Sequence, residues 1–311
     1  MRTNTMLKLA MGAFLAVTST LATTDAQSAP PPREITPNGT GMNGIYGSMS
    51  ADQVEFLSTP DSIKSAAVSG APTLIWETLE HGEKIECLDC ISSVAPLLYD
   101  STSAKTREIA AWWLRRRPLG VFGPGEVYEQ TLNTLASDPD PLKRSYAASA
   151  LGEFLFAPGI AACSQALAAD GDARVRAAAA SALGRLNDDG AGALGKALSD
   201  SDPSVKLAAL GAAGIINSFS GLPAVAGLTS DATPQVRRRA IEVLDGLNAK
   251  DSVAAVAAVA QKDADPTVRA EACHALGTFG DASVRSVLQN LAASDADQFV
   301  RDQAQIALKR I

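Results

Sequence analysis

One short phrase returns along this chain at a nearly constant interval, and it constrains the fold more than any other feature. Its clearest copy is Asp263-Ala264-Asp265-Pro266-Thr267-Val268-Arg269, followed by Ala272, Ala275, Leu276 and Gly277. Anchored on the basic residue, the copies stand at Arg144, Arg176, Lys206, Arg237, Arg269 and Arg301, in steps of 32, 30, 31, 32 and 32 residues. A divergent copy at Arg107 lies 37 residues before Arg144. A fixed period of this size marks stacked two-helix units.

The phrase carries helix chemistry at each position. Asp140, Asp172, Asp202, Asp265 and Asp297, with Thr233 in the fifth copy, stand four before the anchor as expected N-caps, where a side-chain oxygen accepts from the free N–H groups of the first turn. Pro141, Pro203, Pro234 and Pro266 follow as first helical residues, where a missing N–H costs nothing. Ala recurs three after the anchor and Leu seven after, with Ala213 the one departure. Those positions share one helix face, and a uniform Ala there implies close helix approach. Gly152, Gly184, Gly214 and Gly277 are expected to end the helix in a left-handed conformation. A shorter apolar segment precedes each phrase, such as 160–169, 191–198 and 253–261, with Asp251 and Asp281 expected to cap two of them. The unit is therefore helix A, an acidic turn and helix B, and only a stack of such units buries its apolar faces.

The phrase Asp-x-Asp-x-x-Val-Arg-x-x-Ala-x-x-Ala-Leu-Gly resembles the HEAT repeat, in particular the short form named after phycobilisome lyases, over residues 91–311. The resemblance implies an all-α, right-handed α-solenoid of about seven repeats with a helical N-terminal cap. It also implies a ladder tying neighbouring repeats, in which Asp138, Asp170, Asp200, Asp231, Asp263 and Asp295 pair with Arg144, Arg176, Lys206, Arg237, Arg269 and Arg301. Two enzymes with similar repeats are poor matches. Helical-repeat deoxyhypusine hydroxylases use His-Glu pairs to hold iron, but His81 and His274 are followed by Gly82 and Ala275. Bilin lyases act on cytoplasmic pigment proteins, whereas this chain begins like an exported one.

Residues 1–26 read as a signal peptide: Arg2 and Lys8 flank a polar start, and Leu9 to Ala22 is apolar but short. The expected location is the periplasm or the outside of a bacterial cell. Removing Arg2, Lys8 and Asp25 takes the formal net charge from −7 to −8, a balance that argues against nucleic-acid binding. No later stretch reaches transmembrane length. Residues 27–50, with Pro30-Pro31-Pro32 and scattered Gly and Asn, read as a disordered linker.

Residues 51–90 are expected to form the cap, with helices from Asp61 to Val68 and from Pro72 to His81, and with Phe56 and Trp76 shielding the end of the stack. The cap ends on Cys87-Leu88-Asp89-Cys90. A pair at this spacing serves as a disulfide, as a reactive thiol couple or as half of a zinc site. Haem attachment is excluded, because Ile91 stands where His is required. Cys163 and Cys273 fall at core positions and read as small buried hydrophobes.

The most unusual stretch is Trp112-Trp113-Leu114-Arg115-Arg116-Arg117 and the loop after it with Phe122. Trp and Arg are common interface anchors, so Trp112, Arg115, Arg116 and Phe122 are candidate partner-binding residues, while Trp113 falls in a core position. Arg238, Arg239 and His274 are further candidates on helices B. No catalytic triad, phosphate loop or metal constellation accompanies the repeats. The expectation is an exported, non-catalytic scaffold for a protein partner, with no cofactor. A thiol or metal-linked role for Cys87 and Cys90, or a part in envelope assembly, is the alternative.

Overall fold

The computed structural model describes residues 59–115, 117, 125–190, 192–217 and 219–311, together with Ser50. The expected signal peptide, the linker up to residue 49, Phe56, Arg116 and Phe122 lie outside the described residues. Among those described, every regular element is helical. Two cap helices come first, α1 (Pro60–Val68) and α2 (Pro72–His81). The A helices are α3 (Ile91–Val94, continued by a 3-10 turn to Tyr99), α5 (Glu126–Ser137), α7 (Pro158–Ala169), α9 (Ala193–Ala197), α11 (Leu222–Gly227), α13 (Val253–Lys262) and α15 (Arg285–Ser294). The B helices alternate with them: α4 (Ala104–Leu114), α6 (Pro141–Phe154), α8 (Ala173–Arg185), α10 (Pro203–Ala213), α12 (Pro234–Gly246), α14 (Pro266–Phe279) and α16 (Gln298–Leu308). The molecule is an all-α solenoid.

Local chemistry sets the helix starts. Asp140, Asp172, Asp202, Asp265 and Asp297 each accept the backbone N–H two residues on, at 2.8–2.9 Å. Thr233 occupies the same place but makes no side-chain cap bond. Asp281 caps the 3-10 turn before α15. Asp251 does not cap; it lies inside the 3-10 turn Lys250–Ser252, and Ala249 precedes that turn.

The glycines do something other than end helices. Gly152, Gly184 and Gly277 lie inside α6, α8 and α14, and Gly214 follows α10 with a right-handed φ of −72°. A Cβ on Gly152 would come within 2.8 Å of the Cα of Ala182, and on Gly184 or Gly277 equally close to the Cα of Ala212 or Ala307. Each glycine thus lets the next B helix lie directly against its backbone. The left-handed residues after B helices are others, Leu155 (φ 55°), Asn187 (φ 54°), Asn248 (φ 50°) and Gly280 (φ 67°). The alanine three after each anchor, from Ala110 to Ala304, is wholly buried in every repeat. Together these positions form a thin seam of small residues between B helices.

The ladder closes across repeats rather than within them. Arg144, Arg176, Arg237 and Arg269 each grip the aspartate of the following repeat with two guanidinium nitrogens, at 2.6–2.9 Å. Lys206 reaches Asp231 at 2.5 Å with its single ammonium. A third nitrogen of Arg144, Arg176, Arg237 and Arg269 donates to the backbone carbonyl of the aspartate in its own repeat. Two departures from the expected pairing follow from the one-repeat offset. The carboxylate of Asp138 accepts from the N–H of Asp140 as every other ladder aspartate does two residues on, but it takes no inter-repeat cation, because the preceding anchor, Arg107, is turned onto the ring of Tyr146 and the carbonyl of Asp100. Arg301 donates to the side chain of Gln298 and to the carbonyl of Asp295 in its own repeat. The guanidiniums of Arg144, Arg176 and Arg269 hold Asp170, Asp200 and Asp295 below the usual carboxylate range. Burial pushes Asp231 and Asp263 upward, and their hydrogen bonds and cationic partners outweigh it.

The N-terminal end is sealed by bulk rather than by repetition. Trp113 is fully buried and donates its indole N–H to the carbonyl of Gly82 at 3.1 Å. Arg117 lies 3.4 Å above that indole ring and donates to the carbonyls of Glu83 and Ile85 at 2.7 Å. Cys87 and Cys90 are joined by a disulfide and are both buried in the same core.

Candidate partner-binding face

The B helices present one row that the core does not consume. Five after each anchor stand Trp112, Ser149, Ser181, Gly211, Glu242, His274 and Ile306, and none of them is buried. The row changes chemistry from repeat to repeat, whereas the buried alanine row two residues earlier on the same helices does not change at all.

At its N-terminal end this face is hollowed twice. A cavity of about 230 Å3 lies over α4, α6 and α8, where Arg107 stacks 3.9 Å from the ring centroid of Tyr146 and Ser149, Ser181 and Arg185 form the walls. A second cavity of about 220 Å3 opens beside it between α2, α4 and α6, lined by Trp76, Glu80, Glu108, Ile109, Trp112 and Glu153. Glu108 and Glu153 line both. Glu153 is ion-paired with Arg185. Burial raises its carboxyl above the usual range; the Arg185 charge opposes that shift and neighbouring Glu108 reinforces it. Glu80 and Glu108 are exposed, and neither side chain has a hydrogen-bond or ion-pair partner among the described residues.

The sequence candidates fall in different surroundings. Trp112 is half-buried at the mouth of the second cavity, with the Arg115 guanidinium 5.7 Å from its ring centroid. Arg238 and Arg239 both reach Glu242 on their own helix, at 3.5 and 3.0 Å. His274 stands 3.6 Å from Asp245 of the preceding B helix. Asp245 occupies the place that glycine holds in four other copies, three of them seam glycines, so the thin contact is replaced there by the approach of Asp245 to His274. The structure does not bring Trp112 and Arg115 together with Arg238, Arg239 and His274; three repeats lie between them and Arg238 and Arg239, and four between them and His274. Cys163 and Cys273 are buried, and burial pushes both thiols up to about 12, which removes the thiolate that metal binding or nucleophilic attack needs. Among the described residues no three His, Cys, Asp or Glu side chains stand close enough to hold a metal ion, and no helix is long and apolar enough to cross a membrane.

Glu80, Glu108, Tyr146, Glu153 and Arg185 were not singled out from the sequence. Their only signal was negative: they sit at B-helix or cap positions outside the repeating pattern, and one copy of a position shows nothing about which others it meets in space.

A model of HEAT repeats matches residues 128–192, 160–226 and 221–309. No curated protein is significantly similar to the chain in sequence. Among solved structures, YibA of Escherichia coli is similar over 84% of this chain and 96% of its own, with a TM-score of 0.54 and 19% identity. Kap121p is similar over 82% of this chain and 33% of its own, with a TM-score of 0.56 and 16% identity. The CpcE–CpcF complex of phycocyanin lyase from Nostoc sp. is similar over 70% of this chain and 93% of its own, with a TM-score of 0.40 and 20% identity. At such identities a likeness speaks of the fold, and a fold shared this widely does not select a function.

Proposed function

The chain belongs to the HEAT-repeat proteins, and from that premise we propose that it is an exported, non-catalytic scaffold that holds a protein partner against the face lined by its B helices. One observation carries this reading. The buried rows are nearly invariant from repeat to repeat, while the exposed row from Trp112 to Ile306 differs in every copy except the two serines. A solenoid that only needed to stack has no use for a varied row held in register by an ion-pair ladder; a recognition surface does. The buried disulfide supports export, since such bonds persist in oxidising compartments. Its burial also favours a structural role over a redox one.

A photo-reactive residue placed at Ser149 or Ser181, in cells that make the protein, tests the reading. The same residue at Gln165, exposed on an A helix, is the control. Discrete protein adducts are expected from Ser149 and Ser181 and not from Gln165. Adducts confined to Gln165, or turnover by the purified chain of a compound found bound to it, would overturn the proposal.

A further inference from the structure

The cavity between α2, α4 and α6 has the make-up of a cation receptor, and we propose that it takes an arginine side chain of the protein partner, an inference that rests on the scaffold reading above. Three carboxylates converge on a space of about 220 Å3 walled by two indoles and Ile109. Arg185 answers the charge of Glu153 alone. Glu80 and Glu108 keep two unanswered negative charges at the rim, and the mutual repulsion of Glu108 and Glu153 is one cause of the raised affinity of Glu153 for a proton. An incoming cation relieves that repulsion.

The walls say which cation. Indole faces attract cations through the ring quadrupole, and tryptophan does so best of the aromatic residues. A guanidinium is planar and weakly hydrated, stacks on such faces, and offers a fork of donors that two carboxylates can share; an ammonium is compact and strongly hydrated. Trp112 already has one guanidinium near its ring, that of Arg115, which does not line the cavity. The room suits one long side chain, whose hydrocarbon stem would lie along Ile109, rather than a whole helix. The formal net charge of −7 would draw a basic partner toward the chain at long range.

The protein carries its own reporter. Its three tryptophans are Trp76, Trp112 and Trp113, and Trp113 is fully buried away from solvent, so a ligand-induced change in tryptophan emission reads the cavity. The experiment titrates the full chain, disulfide intact, with a hexa-arginine peptide, followed by emission and by calorimetry, with hexa-lysine in parallel. The double variant Glu80→Gln/Glu108→Gln is expected to bind hexa-arginine at least about ten-fold more weakly, the loss of roughly one charge-assisted contact, and to lose the emission response. A charge-matched control, Asp251→Asn/Asp302→Asn, removes two exposed carboxylates at the other end and is expected to bind within about two-fold of the parent. Unchanged affinity in the Glu80/Glu108 variant, or an equal loss in the control, overturns the site. Equal affinity for hexa-lysine overturns the guanidinium assignment. Both glutamates are exposed, so unchanged helix content and Tm are expected in the variant. Failure here, with adducts still forming at Ser149 and Ser181, leaves the scaffold standing and removes only the arginine receptor.

Discussion

The repeats from Asp138 onward and the N-terminal end up to Arg117 solve the same problem by opposite means. In the regular repeats, helices B meet mostly through glycine and alanine, and an aspartate paired with a guanidinium, or with the Lys206 ammonium, spans the junctions from Arg144 to Asp295. At the N-terminal end, the place six after the anchor holds Trp113 where most copies hold alanine, and the neighbour is the α2 end with its Gly82 carbonyl rather than another B helix. Repetition works only where the neighbour is itself a repeat. An end must be closed by residues that occur once, and such residues leave irregular space around them. The cavity that gathers Trp76, Glu80, Glu108 and Trp112 lies at this junction.

The largest effect is expected from Trp113→Ala, which installs the residue that most other copies carry at that position. If the position were equivalent throughout, the change would be mild. Because the indole is wholly buried against the cap, a loss of about 3–5 kcal/mol is expected. Hydrogen exchange should show lost protection confined mainly to residues 60–115, since repeats couple chiefly to their neighbours. Uniform loss along the chain would contradict the distinction.

Next in size is the ladder. Arg237→Ala removes a pair whose side chains are only 13% and 5% exposed and is expected to cost about 2 kcal/mol, as for hydrogen bonds to charged groups. The effect depends on pH in a definite direction. The Asp263 carboxylate titrates below the ordinary aspartate range, because its hydrogen bonds and the Arg237 charge outweigh its burial, so the stability it contributes is present above that range and is lost as pH falls through the depressed value. The Tm difference between parent and variant should therefore hold from neutrality to about pH 4 and shrink below it. A gap that persists in stronger acid would mean that Arg237 acts through packing alone.

The smallest effects test the seam. Gly184→Ala puts a methyl 2.8 Å from the Cα of Ala212, and overpacking of this kind costs about 1–3 kcal/mol. Gly195→Ala, in α9, meets nothing within 4 Å and should stabilise by about 0.5–1 kcal/mol through helix propensity. A stabilised Gly184→Ala would show that the glycine is not there for close approach.

The caps and the ladder members were legible in the sequence because each recurs in register: Asp265 and Arg269 gain meaning from five other copies. The seam glycines were legible as positions but not as roles. Gly184 near a helix end reads as a terminator, and only the arrival of Ala212 from the next repeat shows that the helix continues past the glycine and needs its missing Cβ. Thr233 shows the converse, a residue of the right type at the right place that makes no cap bond.

Whatever repeats or acts within a few residues could thus be read along the chain alone: the two-helix unit, its period, most of its N-caps and the identity of the ladder residues. Local hydrogen bonds and helical periodicity depend on spacing along the chain, and spacing is written in the sequence. The tertiary structure decided which repeat each aspartate serves, why the glycines are small, and that Trp76 and Glu80 of α2 meet Glu108 and Trp112 of α4 and Glu153 of α6 in one cavity. Those outcomes depend on how far one helix lies from the next, a distance set by side-chain volume on both sides of the contact.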